Sequence, residues 1–578
     1  MLLVALLAVT WSCAQAAPSG GVGTDAPLSV SIGFSGRARM GAWTPVWIDL
    51  TAPPAGVDGT LTLQSTASSG TTAVRYAAPV RAGPGARVRV FVPAVFYDSR
   101  APGMLHLDEA GGRVASFALP RLRPVDDLVL VLSSEAVGVE AATGGESSTG
   151  GGERLEVVYL TPEDLPPIWQ AYESVRLVVV RTLDERRVDD AQRLALRRWV
   201  WSGGRILAMP AGDDVRHLRG AALRDLLPGV VTSVTSDPQI PVAVIQPRPG
   251  SETLSGEGVR AVRWRTGRGG VVLWDRDGAH PAWRGSGGAR RAWQAVLAER
   301  PSTLAPDLES TLAAHRSVPL RTHLLTGGFI LLYLAAARTI GILLSRWRLA
   351  TALVAAAAVI AATLAASQAG LTARRDASGV LVASVVEAWP GTGHGLLSIL
   401  ARTVLSHDGG FAVGASDDVL LRPVPPASVT VLRRDGVVVT GTERTVRLSG
   451  SGVVPIGFAG TFARRDEGAV VSVLNRTGRR LEQPWIYSSG RVQSIPSIAS
   501  DTQIVLEDQR WQTRDRLQRT EPNHALLLWA FSHLESDAIL KTTPTWLVGW
   551  ARDPALGLRW GDRQESAPQL VLVPLTAP

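Results

Sequence analysis

Two apolar runs, Leu324–Leu344 and Leu349–Ala366, flank the connector Ser345-Arg346-Trp347-Arg348 and constrain this chain more than any other stretch. At about 1.5 Å per residue the first run makes a helix of roughly 31 Å, the thickness of a bilayer core. With so short a connector the runs must return as an antiparallel hairpin, with expected spans at 324–344 and 349–368. Residues 1–323 and 370–578 then lie on one side of a membrane, and a lipid bilayer is the first partner implied. Arg338 falls inside the first span. It either marks an intramembrane site or snorkels to the connector-side interface.

Residues 1–17 read as a signal peptide: an apolar start, Met1-Leu2-Leu3-Val4-Ala5-Leu6-Leu7, then the small-x-small site Ala14-Gln15-Ala16. The basic segment that usually precedes such a core is missing, so cleavage and retention as an anchor both stay open. Cys13 is the only cysteine and would leave with the peptide, which excludes disulfides and thiolate metal sites from a cleaved chain. The net charge of +8 does not imply nucleic acid as a partner. Lys541 is the sole lysine, and the arginines are interleaved with acids, as in Arg464-Arg465-Asp466-Glu467.

A chain of 578 residues exceeds one core, and the pattern divides it into successive units. Residues 25–122 alternate polar and apolar positions between turn signals, as in Arg87-Val88-Arg89-Val90, and predict a β-sandwich. Trp43 in Gly41-Ala42-Trp43-Thr44 is either a carbohydrate platform or a core aromatic. Residues 125–302 change to strands alternating with helices, the pattern of an α/β domain with a parallel sheet. Its clearest helix should bury Ala191, Leu194, Ala195 and Trp199 and stop at Gly203-Gly204. After the hairpin, 376–578 predicts a C-terminal β-rich domain in which Asp435-Gly436 marks a tight turn.

Val175-Arg176-Leu177-Val178-Val179-Val180, then Asp184, Gln192–Val200 and Gly203-Gly204-Arg205-Ile206-Leu207 resemble the strand, loop, helix, Gly-Gly, strand core of glutamine-amidotransferase-like domains. These are class I, flavodoxin-type domains found in extracytoplasmic parts of bacterial membrane proteins. The resemblance implies a multidomain order of signal, β-sandwich, α/β amidotransferase-like domain, two-helix transmembrane hairpin and C-terminal β-rich domain. With the signal peptide exporting residues 18–323 and the hairpin anchoring them, the expected location is a bacterial cytoplasmic (inner) membrane, with the folded domains extracytoplasmic. Members of this kind are mostly uncharacterised, so a fold is implied more than an activity.

An amidotransferase-like site needs a nucleophile on the turn after a strand and a histidine beside it. The turn Pro210-Ala211-Gly212-Asp213-Asp214 carries no Cys or Ser, and His217 nearby reads as an isolated surface residue. The glycines of 144–152 lack a P-loop lysine, and no two histidines stand at His-x-His or i, i+4 spacing. Asp275-Arg276-Asp277-Gly278 holds only part of a calcium loop. No cofactor, metal or catalytic residue is therefore assigned. Open α/β sheets bind ligands at the carboxyl ends of their strands, where two acidic pairs should fall: Asp184 with Glu185, and Asp213 with Asp214. If the two strands are neighbours, these acids form a crevice suited to a cationic group or a peptide.

The leading expectation is a non-enzymatic, membrane-anchored envelope protein that binds a partner protein or envelope polymer and assists a transporter or assembly machine. One alternative is a membrane-bound hydrolase or amidase using the four acids. Another is a glycan-binding subunit of a polysaccharide exporter.

Overall fold

The computed structural model describes residues 28–299 and 380–576, less short connecting segments. The alternation of the first region folds as expected of period-two strands. In Val57–Thr66, Leu61 and Leu63 are buried while their neighbours face outward. Leu28–Ile32, Trp43–Thr51 and Arg87–Val95 form one antiparallel sheet. Ala73–Ala82, Val57–Thr66, Gly103–Glu109 and Gly112–Ala118 lie side by side in a second.

That second sheet does not end with the first region. Thr430–Leu432 pairs parallel to Ala73–Ala82, with Val431 opposite Tyr76, and Gly436–Val439, Phe411–Gly414 and Arg559–Trp560 continue it. The core is shared likewise. Ile48, Leu61 and Leu63 belong to one apolar cluster with Leu397, Leu448 and Val573, so the two ends of the chain bury each other.

Between them runs a seven-stranded sheet in the order Leu155–Tyr159, Asp127–Leu132, Val175–Val180, Arg205–Ala208, Gly269–Trp274, Val259–Thr266, Glu252–Gly256. The first five strands are parallel and the last two antiparallel. Val175–Val180 is buried at every position, which explains its unbroken apolar run. Val178 and Val180 face one core and Leu177 and Val179 another. Helix Gly287–Ala298 covers the second face with Trp293 and Leu297. On the first face helix Asp190–Trp201 is joined by Trp389, Leu396 and Val453, which come from the C-terminal β region.

Helix Asp190–Trp201 starts at a capping box in which Asp189 accepts from the Gln192 amide at 2.7 Å and the Gln192 side chain accepts from the Asp189 amide at 2.9 Å. Its buried stripe is Gln192, Ala195, Leu196, Trp199 and Val200, whereas Ala191 and Leu194 are exposed. The expected face was rotated because an apolar count cannot credit Gln192. That amide is buried by donating to the Leu165 carbonyl at 2.7 Å. Gly203 then takes a φ of 126°, and Gly204 slips beneath the Trp199 ring.

A nine-stranded sheet dominates the C-terminal region, from Val419–Pro423 at one edge to Gln512–Thr513 at the other. Helix His524–Ser536 packs Leu527, Ala530 and Phe531 against it. The tip of the 259–274 hairpin docks here through Arg268. The guanidinium Nε donates to Glu387 Oε1 at 2.7 Å, and Nη2 donates to Asp537 Oδ2 at 2.6 Å, with all three side chains buried.

The expected fold class is corrected by this architecture. The described chain is mostly β-sheet with few helices, so an α/β amidotransferase fold does not describe it. The connection from Leu155–Tyr159 to Val175–Val180 holds only the short turns Pro162–Asp164 and Trp169–Tyr172 in place of a helix, and strands from the C-terminal region join helix Asp190–Trp201 over one sheet face. The expected spans 324–344 and 349–368, like the signal segment 1–17, lie outside the described residues. Among the described residues no helix is long and apolar enough to cross a membrane. The described residues therefore give no support to the transmembrane hairpin, or to the inner-membrane location that depended on it.

A close backbone approach lies where the hairpin meets the helix. A Cβ on Gly269 would sit 2.1 Å from the Gly204 carbonyl oxygen and 2.2 Å from that of Val200. Gly269→Ala is expected to destabilise the chain by roughly 1–3 kcal/mol in urea denaturation. Gly111→Ala, where a Cβ meets nothing within 4 Å, should stay within about 0.5 kcal/mol of wild type.

Candidate functional site

The carboxyl ends of the five parallel strands share one edge of the central sheet. Because Val175–Val180 and Arg205–Ala208 are adjacent, with Val178 opposite Ile206, the loops holding Asp184-Glu185 and Asp213-Asp214 leave the sheet side by side. Both acidic pairs thus reach the expected edge, but their side chains have different work.

Asp184 caps the short turn Glu185–Arg187, its carboxylate accepting from the Arg186 amide at 3.1 Å. The Glu185 carboxylate lies against the Cα of Gly220, where a Cβ would come within 1.8 Å of Oε1, and so fills space between the two loops. Asp214 takes two hydrogen bonds from the Arg216 guanidinium, at 3.0 and 2.7 Å, and a third from the Arg216 amide at 3.0 Å. These bonds, the guanidinium's first, hold its carboxyl down at about 2. Asp213 is exposed.

Beneath this rim lies a buried ion pair that residue spacing alone does not reveal. Arg181, the first residue after Val175–Val180, donates from Nε and Nη2 to the two oxygens of Asp277 at 2.7 and 2.9 Å. Asp277 also accepts from the Gly212 amide and the Ala279 amide, each at 2.9 Å. Four donors on one carboxylate tie together the loops after three strands. Glu135, from the loop after a fourth, lies 3.2 Å from Arg181 Nη2 with its side chain 64% exposed. The signal for the pair was an arginine directly after an all-apolar strand and an aspartate in a loop first weighed for calcium.

His217 is buried rather than a surface residue, and its ring Nε2 donates to the Met209 carbonyl at 3.0 Å. Burial pushes its pKa down, so the neutral ring is the form the fold accommodates. Asp275 is also buried, and loss of water pushes its carboxyl up. Trp43 is only 2% exposed and packs edge-on against Tyr76 at 6.1 Å, which makes it a core aromatic and removes it as a sugar platform. Of the glycine-rich run, 144–152 lie outside the described residues.

A family model described as "Domain of unknown function (DUF8726)" matches residues 25–118, the stretch that holds the strands of the first β region. A search of curated proteins finds no match.

Two measurements probe this edge. Asp277→Ala leaves Arg181 buried without its main acceptor and is expected to cost roughly 3–5 kcal/mol in chemical denaturation. Asp214 should titrate by NMR near 2 and return toward the ordinary carboxylate range in Arg216→Ala. Since its folded pKa is depressed, its contribution to stability is present above the unfolded value of about 3.9 and lost as pH falls toward 2. The contribution is small, because the side chain is 42% exposed.

Proposed function

We propose that this chain is a binding protein that seats a basic segment of a partner protein on the acidic rim of the central sheet. The supporting observation is the division of labour among the carboxylates. Asp277, Asp214 and Glu185 fix the loops in place, while Asp184, Asp213 and Glu135 remain exposed above them. A rim held this way needs little reordering to receive a cation, so less of the contact energy is lost on binding. The chain's net charge of +8 gives it no general attraction for polycations, which leaves such binding to a local acidic site.

The hydrolase alternative draws no comparable support. A carboxylate held at about 2 is a weak base at neutral pH, and Asp277 is saturated with donors. The exporter alternative, drawn from the combination of β-sandwiches, a flavodoxin-like unit and a membrane anchor, loses Trp43 as its sugar platform because that ring is buried.

A fluorescent lysine decapeptide tests the reading. Anisotropy should report binding that weakens with salt and falls by about fivefold or more in the double variant Asp184→Asn, Asp213→Asn. Unchanged affinity in a variant with wild-type melting behaviour would overturn it.

A further inference from the structure

We infer that Glu252–Gly256, the last strand of the central sheet, is the pairing edge of a twofold dimer in which two copies of this chain join their central sheets. Among the described residues this strand pairs on one side only, with Val259–Thr266, in a register without a bulge. All five residues are exposed, including Leu254 at 40%. In an edge strand, half of the backbone N–H and C=O groups point sideways out of the sheet, and natural proteins usually guard them with bulges, arginine or lysine, proline, or a covering segment.

Two other edges carry such guards. At the opposite end of this sheet, Glu156 of Leu155–Tyr159 is gripped by Arg37 and Arg123 from the first β region. Gly112–Ala118, the edge of the eight-stranded sheet, is bent by an irregularity at Leu107/Asp108 and holds Arg113 on Asp108. Glu252–Gly256 has neither device. Its one charge, Glu252, is already neutralised by Arg263 of the neighbouring strand at 3.0 Å.

The strand's own sequence selects the occupant. Antiparallel pairing about a twofold axis through Leu254 sets Leu254 against its copy, Thr253 against Ser255 and Glu252 against Gly256. The exposed leucines then cover each other, the hydroxyls meet, and each glutamate faces a residue with no side chain rather than another glutamate. A Cβ built on Gly256 would meet nothing within 4 Å, so the backbone there is open to an incoming strand. A five-residue pairing is small beside a standard interface of about 1,600 Å², so the dimer is expected to be weak and reversible.

Sedimentation velocity of the full chain over a range of concentrations is the test. Wild type should show a reversible monomer–dimer equilibrium. Leu254→Lys and Leu254→Glu, each of which sets like charges together on the axis, should each raise the dissociation constant by more than about tenfold. An equimolar mixture of the two variants should recover dimer, since lysine then faces glutamate. A wild-type chain that stays monomeric overturns the inference, as do single variants that dimerise like wild type. A mixture that fails to recover dimer overturns the register through Leu254.

Discussion

Arg268 is the point on which the assembly turns. It sits at the tip of a hairpin from the central sheet, 1% exposed, and is held by Glu387 from one C-terminal strand and Asp537 from the end of a helix 269 residues away in sequence. His533 closes the cluster, its Nε2 3.5 Å from the Arg268 guanidinium and 3.8 Å from Glu387. Removing one partner from so buried a group costs on the order of 3–5 kcal/mol, because the charges left behind cannot reach water. A second junction repeats the device where three parts meet. Glu173 of the middle region accepts from the Trp43 amide at 3.0 Å and from Arg422 at 2.8 Å, and Arg422 also donates to the Gly41 carbonyl.

These buried contacts account for the mistaken fold class. Strand and helix periodicity describes each segment as though water or its own helices covered it. Here the face of the central sheet under Trp199 is completed by Trp389, Leu396 and Val453, so the sheet needs fewer helices than its strand pattern implies. The same logic joins the chain's two β regions. Leu61 and Leu397 lie 336 residues apart yet share one core, and no local pattern marks which distant strand will cover which face.

The candidate site was half legible. Asp184 and Asp213-Asp214 could be placed at the carboxyl edge because the strands before them are strongly apolar and their direction follows from parallel pairing. The function of each acid could not, since it depends on neighbours brought in by the fold. Asp214 belongs to Arg216, two residues on, whereas Glu185 belongs to Gly220 and Asp277 to Arg181, 96 residues away. The buried pair that positions the rim was therefore the part missed.

By itself the sequence determined where many of the strands form, that helix Asp190–Trp201 stops at Gly203-Gly204, and that acids follow two of the parallel strands. Those outcomes rest on alternation, capping and backbone freedom, interactions that span only a few residues. Tertiary structure alone decided that Gln192 could be buried, that Trp43 and His217 face inward, and that residues from opposite ends of the chain complete each other's cores. The physical reason is that burial and charge pairing depend on what lies across a few ångströms of space, and the chain brings those neighbours from hundreds of residues away.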